Sequence, residues 1–133
     1  MKFGQTQQSK GIIGVDITVD PCYSIKMTKR YAYFFTRQDI FKEYQLVQTA
    51  HVAYKLGSVL GKDADADNTY FTCIGVRNLE ALVAVEKILF EFGFKYEHFI
   101  EPDLNGGEMT AIAVRPIDED KRDILLAFNL LKF

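Results

Sequence analysis

From Tyr31 onward, short runs rich in apolar and aromatic residues alternate with longer stretches that have helical spacing. Runs of this kind are typical of buried strands, whereas apolar residues three or four apart indicate a helix that packs by one face. The predicted strands cover residues 31–36, 70–76, 94–100 and 109–114. Strands that alternate with helices in this order predict an α/β fold with helices on the faces of the sheet.

The first predicted helix is about 20 residues long and ends at Gly61. Its sheet-packing face is predicted from residues spaced by three or four, namely Leu46, Ala50, Ala53, Gly57 and Leu60. Small side chains on that face would let the helix lie close to the strands.

Capping residues define the remaining elements. Asn78 is a good N-cap for a second helix, and Gly93 is placed to end it. Pro116 is predicted to stop the last strand, and Asp118 is predicted to cap a short final helix.

Residues 1–26 differ from the rest of the chain. A polar, glutamine-rich leader is followed by alternating apolar and polar residues at 15–20, a pattern that suits an edge strand. Met27 precedes the regular pattern by four residues. We therefore expect one domain over residues 27–133, with 1–26 as an extension that is either flexible or an edge strand.

Composition narrows the class of protein. A chain of 133 residues with 48% hydrophobic residues can bury a single core. A net charge of −2 and a pI near 5.7 argue against a general DNA-coating protein. Residues 26–55 nevertheless carry a net +4 and residues 56–133 a net −6, so one part of the chain is suited to meet phosphate. Chance scatter of surface charge is the alternative.

The two cysteines, Cys22 and Cys73, are far apart and belong to no metal-binding motif. The run 63–68 resembles the start of a calcium loop, but Ile74 stands where a glutamate is required, so a solvated loop is expected. We predict no metal and no cofactor. With no signal peptide and no membrane-spanning run recognisable, a reduced cytoplasmic protein is expected.

Ligands of α/β sheets bind beyond the carboxyl ends of the parallel strands, here in the loops 37–43, 77–78 and 101–108. The side chains predicted to converge there are Arg37, Asp39, Gln48, His51 and Asp103. A plain surface turn explains the carboxylates of the 101–108 loop equally well.

Two segments carry a family resemblance. Phe35-Thr36-Arg37-Gln38-Asp39-Ile40, followed by Gln48-Thr49-Ala50-His51-Val52-Ala53, resembles the type II peptidyl-tRNA hydrolases typical of archaea and eukaryotes. The similarity runs from about residue 29 to residue 133. It implies a three-layer α/β/α fold with a four-stranded mixed sheet, often dimeric, that hydrolyses the ester between a peptide and the 3′ end of tRNA.

The resemblance also implies roles for individual residues. Asp103 matches the family's loop aspartate, whereas Tyr44 and Gly107 stand where the family has a lysine and a threonine. The implied catalytic set is therefore Asp103 with Lys42 and Thr110, which would replace the missing groups. The implied substrate-binding residues are Arg37, Asp39, Tyr44, Gln48, His51, Glu101 and Asn105. The basic residues expected to contact tRNA phosphates are Lys26, Lys29, Arg30 and Lys55.

Three functions remain open at this stage, and one of them is a structural subunit whose aromatic surface pairs with itself or with a partner. Another is a weakly active peptidyl-tRNA hydrolase-like enzyme, because loss of one cation or hydroxyl donor at the ester can cost roughly 3 kcal/mol of transition-state stabilisation. The third is a catalytically degenerate module of the same fold that binds tRNA or a phosphate-bearing small ligand. A homodimer is expected for the enzyme and for the binding module alike.

Overall fold

The computed structural model describes residues 29–127. The predicted extension 1–26 with its alternating segment, Lys26, Cys22 and the apolar tail at 130–133 lie outside the described residues. Within the described range the strands are β1 (Arg30–Arg37), β2 (Thr69–Val76), β3 (Tyr96–Glu101) and β4 (Glu108–Ile117). The helices are α1 (Lys42–Leu60), α2 (Leu79–Glu91) and α3 (Glu119–Ala127), with two short 3₁₀ turns at Gly61–Ala64 and Ala66–Asn68.

The four strands form one mixed sheet in the order β2-β1-β4-β3. β1 is parallel to β2 and antiparallel to β4, and β3 is also antiparallel to β4. β1 and β3 therefore run in the same direction, and their carboxyl ends lie at the same edge of the sheet. The predicted α/β fold with a four-stranded mixed sheet is confirmed.

Neighbouring residues of β1 supply two separate hydrophobic cores, because successive strand side chains point to opposite faces. Phe34 belongs to a cluster with Val52 and Leu56 of α1. Phe35 belongs to a cluster with residues of α2 and α3, including Leu82 and Leu125. Helix α1 thus packs on one face of the sheet, and α2 and α3 contribute to the core on the other.

The predicted packing face of α1 is partly wrong: Ala53 and Leu60 pack against the core, but the helix is turned relative to the prediction. Its buried residues are Gln48, Val52 and Leu56, whereas Leu46 is 74% exposed and Ala50 is also exposed. The physical reason is that the buried face contains a polar residue, Gln48, whose side chain meets the buried hydroxyl of Thr110, so a face chosen from apolar spacing alone is off by about one position. Helices of the length and apolar character needed to cross a bilayer do not occur in the described part of the chain.

The caps of α2 are confirmed. The Asn78 side chain accepts a hydrogen bond from the backbone N–H of Ala81 at 2.9 Å. At the other end Gly93 has φ +77°, and the N–H of Phe94 donates to the carbonyl of Leu89 at 2.9 Å. This is the left-handed helix end that glycine favours.

The expected stop at Pro116 is wrong, because β4 continues to Ile117. Pro116 lies where the pairing with β1 changes register, between Val114 opposite Tyr33 and Ile117 opposite Tyr31. A proline without an N–H is tolerated at such an irregularity since no ladder bond is required of it there. The final helix begins at Glu119, directly after Asp118 as predicted.

Candidate functional site

A cavity of about 370 Å³ lies between the amino-terminal half of α1 and the loop that joins β3 to β4. It forms at the edge where β1 and β3 end and β4 begins, so the sheet topology brings together residues that are distant in sequence. Its lining residues are Ile40, Tyr44, Gln48, Glu101, Asp103, Leu104 and Thr110.

A chain of hydrogen bonds crosses the wall of this cavity. The Thr110 hydroxyl donates to Oε1 of Gln48 at 2.7 Å, and Nε2 of Gln48 donates to Oε1 of Glu101 at 3.0 Å. Gln48 and Thr110 are both buried. A buried amide that satisfies its donor and acceptor in this way holds one orientation, because reversal would face its oxygen to a carboxylate.

The direction of these hydrogen bonds determines whether Thr110 offers the cavity a donor or an acceptor. Since an ionised carboxylate only accepts hydrogen bonds, Glu101 requires the NH₂ group of Gln48 on its side. The amide oxygen then faces Thr110 and takes the only hydroxyl proton of that residue. Thr110 is therefore left with lone pairs, so it can accept a hydrogen bond from water or substrate but has no further proton to donate.

Glu101 is held in its ionised form. Its pKa is lowered, first by the hydrogen bond from Gln48 and then by the backbone N–H of Asp103, which approaches Oε2 at 3.3 Å. Both contacts favour the charged carboxylate. Glu101 consequently orders the Gln48 amide and the start of the 102–107 loop at the same time.

Arg37 forms an ion-pair cluster beside the cavity. Its guanidinium donates to both carboxylate oxygens of Asp39 at 2.9 Å, to Glu108 at 2.8 Å and to the carbonyl of Met109 at 3.1 Å. Arg37 is only 5% exposed. Its hydrogen bonds lower the pKa of Asp39 and of Glu108, and Asp39 raises the pKa of Arg37 in turn.

The same cluster anchors the 102–107 loop. Nδ2 of Asn105 donates to Oε2 of Glu108 at 3.1 Å. Asn105, Gly106 and Gly107 all have positive φ, which glycine and asparagine tolerate best. Arg37 thereby connects the end of β1 to the loop that carries Asp103, through Glu108.

The structure brings together five of the predicted site residues. Asp103, Thr110, Tyr44, Gln48 and Glu101 line the cavity described above. They come from α1, β3, β4 and the loop between these two strands. Their assembly depends on the common edge at which β1 and β3 end.

The other predicted site residues lie elsewhere. Lys42 lines a different cavity, between α1 and β2. Arg37, Asp39 and Asn105 are engaged in the ion-pair cluster. The ring of His51 stacks on Phe99, with centroids 4.5 Å apart and planes 1° from parallel.

The basic residues expected to contact tRNA are dispersed. Lys29 lies over the ring of Tyr70 at 5.7 Å, and Arg30 begins β1. Lys55 donates to the carbonyl of His98 at 2.9 Å, next to a shallow cavity lined by His51 and Phe99. Lys26 lies outside the described residues.

Glu108 and Gln45 were missed in the sequence. Glu108 pairs with Arg37 across 71 positions, a separation that no local pattern reveals. Gln45 donates to the carbonyl of Ile40 at 2.8 Å and so holds the loop after β1. An i, i+5 spacing between a glutamine and a loop residue is the only local signal, and it is weak.

Comparison with known proteins supplies no family for this chain. A scan against protein-family models finds no match, and a search of curated proteins finds no significant similarity. The resemblance to type II peptidyl-tRNA hydrolases therefore depends on the motifs at Arg37–Asp39 and Gln48–His51 and on the residues in the cavity. Groups of three or more side chains able to hold a metal ion do not occur within residues 29–127.

Proposed function

We propose that this protein is a cytoplasmic hydrolase of the peptidyl-tRNA hydrolase type, which cleaves the ester between a peptide and the 3′ end of tRNA with weak turnover. The observation that carries the proposal is that Asp103 and Thr110 line one cavity with the Gln48–Glu101 pair. The four-stranded mixed sheet, which the resemblance implies, supports it.

In the proposed reaction, two residues orient the attacking water. The Asp103 carboxylate accepts one proton of the water, and a free lone pair of the Thr110 hydroxyl accepts a hydrogen bond from the other. The water oxygen bonds to the ester carbonyl carbon, and the bond from that carbon to the tRNA ribose oxygen breaks. The proton taken by Asp103 passes to the leaving ribose oxygen.

The shortage of groups that could stabilise the developing oxyanion would explain weak turnover. Among residues 29–127 the cavity lining contains no Lys or Arg, since Lys42 lines the neighbouring cavity and Arg37 is paired with carboxylates. Tyr44 is the remaining hydroxyl donor in the cavity, at the position where the family has its lysine. A neutral phenol stabilises negative charge less than an ammonium group does.

The test is turnover of a defined peptidyl-tRNA by the full chain. Asp103→Asn should abolish turnover, because an amide cannot accept the proton from water. Asp63→Asn is the matched control, since it makes the same change on an exposed loop far along the chain, and it should keep wild-type turnover. Equal turnover of the two variants would contradict the assigned role of Asp103.

Tyr44 provides the sharper test. Tyr44→Phe should lower kcat by up to about 100-fold, as expected for loss of one oxyanion donor. Tyr44→Lys should raise kcat above the wild-type value, since it restores a cation at the ester. If Tyr44→Lys is inactive while it still binds tRNA, the missing cation does not account for weak turnover.

A binding module is the second candidate, and the lack of a cation among the described lining residues favours it. Within residues 29–127 the acidic and basic side chains of the lining are Glu101 and Asp103, and such a cavity can recognise a ligand without stabilising an oxyanion. This alternative would be established if the wild type shows no turnover at any protein concentration but binds tRNA, and if Asp103→Arg loses that binding. Affinity for tRNA should fall with salt, because phosphate contacts release counterions.

A homodimer is part of the proposal. Leu46 of α1 is largely exposed and lines a cavity with Cys73 and Ile74 of β2, and Phe71 of β2 is also exposed. Exposed apolar side chains on adjacent elements are typical of contact surfaces. Sedimentation equilibrium should show a dimer that Leu46→Glu converts to a monomer, and a monomeric wild type would contradict this part.

A further inference from the structure

A further cavity, of about 290 Å³, lies at the edge of the sheet opposite to the candidate active site. It forms where β1 begins, β4 ends and the chain enters β3. Four of its lining residues are basic, namely Arg30, Lys95, Arg115 and Lys121. The rest of the lining is uncharged and includes Leu60, Phe94 and Pro116.

The backbone holds these cations near each other. The N–H of Arg115 donates to the carbonyl of Lys95 at 2.9 Å, which fixes the two residues side by side. Tyr31, which follows Arg30, is paired with Ile117 of β4. Lys121 belongs to α3, which begins two residues after that strand ends. Four different segments therefore converge on one cavity.

The positive charge is mostly uncompensated. Arg115 pairs with Glu97 at 2.9 Å. Arg30, Lys95 and Lys121 make no ion pair with any carboxylate of residues 29–127, although acidic residues begin α3. The Nε of Arg115 is buried and has no hydrogen-bond acceptor in that same range. A buried donor without an acceptor costs free energy that a bound anion would recover.

We propose that this cavity binds a phosphoryl group, as a diphosphate or a terminal phosphate of a small ligand. Four cations from four segments suit an anion with several oxygens and more than one negative charge, whereas a carboxylate offers only two oxygens. The guanidinium groups of Arg30 and Arg115 match phosphate geometry, and the two lysines add charge at its rim. The proposal is independent of the hydrolase activity.

Pyrophosphate binding to the full chain, measured by isothermal titration calorimetry, tests the proposal. We expect saturable 1:1 binding that Lys95→Gln/Lys121→Gln weakens at least tenfold. The matched control is Lys62→Gln/Lys87→Gln, which removes two other exposed lysines and should leave the affinity unchanged. Circular dichroism verifies that each variant is folded, and all four lysines are exposed, so folding should survive.

Two further experiments test whether the phosphate belongs to a small ligand or to nucleic acid, and whether the forked guanidinium of Arg115 is needed. A short single-stranded RNA without a terminal phosphate, bound with the same dependence on Lys95 and Lys121, would assign the cavity to the nucleic-acid backbone. Arg115→Lys should weaken pyrophosphate binding even though the charge is kept, because the forked donor is lost. The proposal would be overturned if neither pyrophosphate nor the RNA binds. An equal loss of affinity in the Lys62→Gln/Lys87→Gln control would overturn it as well.

Discussion

The two ends of the sheet have opposite charge although the same strands build both. At the carboxyl end of β1 and β3, Arg37 is paired with the carboxylates of Asp39 and Glu108, and two more carboxylates, Glu101 and Asp103, line the cavity. At the other end four cations surround one cavity, and within residues 29–127 Glu97 is the only carboxylate that forms an ion pair with any of them.

The difference shows that charge along the chain does not predict charge in space. Three of the four cations at the basic end, Lys95, Arg115 and Lys121, come from the half of the sequence that is acidic overall. The basic segment 26–55 is instead spread over different places, and its Arg37 is neutralised. The acidic end is also closely hydrogen-bonded, whereas the basic end leaves most of its charges unpaired.

The largest expected effect comes from Arg37→Met at the acidic end. It leaves Asp39 and Glu108 without their shared cation, so the free energy of unfolding should fall by about 2–4 kcal/mol. Urea unfolding measures the loss. Arg77→Met, at an exposed arginine after β2, is the matched control and should stay within about 0.5 kcal/mol of the wild type. Similar losses in both variants would show that Arg37 is not specially placed.

The buried chain of hydrogen bonds should give the next effect. Gln48→Leu leaves the Thr110 hydroxyl without an acceptor, so the free energy of unfolding should fall by about 1–3 kcal/mol. Thr110→Val removes that unsatisfied hydroxyl, and the double variant should therefore lose less than the two single variants added together. Additive losses in a double-mutant cycle would contradict the bond between the two side chains.

Acid should destabilise this end of the sheet selectively. The pKa values of Asp39, Glu101 and Glu108 are lowered in the folded protein, so their contribution is present above the ordinary carboxyl pKa of about 4 and is lost as pH falls through the folded values. The melting temperature should fall across that acidic range. Glu108→Gln should make the fall shallower, and Glu91→Gln, an exposed control, should leave its slope unchanged.

The smallest effect is expected at the basic end, and its sign is reversed. Lys121→Gln removes one of several like charges, so at low salt the free energy of unfolding should rise by up to about 0.5 kcal/mol. High salt should erase the gain because it screens the repulsion. A loss of stability would mean that Lys121 has a compensating anionic partner, and that the basic end is not left with unpaired charge.

Much of the fold was predictable from the sequence because the signals are local. The four strands and three helices occur in the predicted order, and Asn78 and Gly93 bound α2 as expected. The errors have one cause. The packing face of α1 includes the polar Gln48, which reaches Thr110, and the continuation of β4 past Pro116 follows its pairing with β1 at Ile117. Neither contact is visible in local spacing.

The residue types of the candidate site were also accessible from the sequence, since Gln48, Glu101, Asp103 and Thr110 could each be singled out by position or resemblance. Their hydrogen bonds and the pairing of Arg37 with Glu108 were not, because these contacts join residues 53 to 71 positions apart.

By itself the sequence determined the succession of strands and helices, since apolar periodicity and capping residues act within a few positions of each other. Only the tertiary structure decided which charges meet. A mixed sheet places the carboxyl ends of β1 and β3 at one edge and gathers Arg30, Lys95, Arg115 and Lys121 at the other. The physical reason is that strand pairing is non-local, so it alone sets which distant side chains become neighbours.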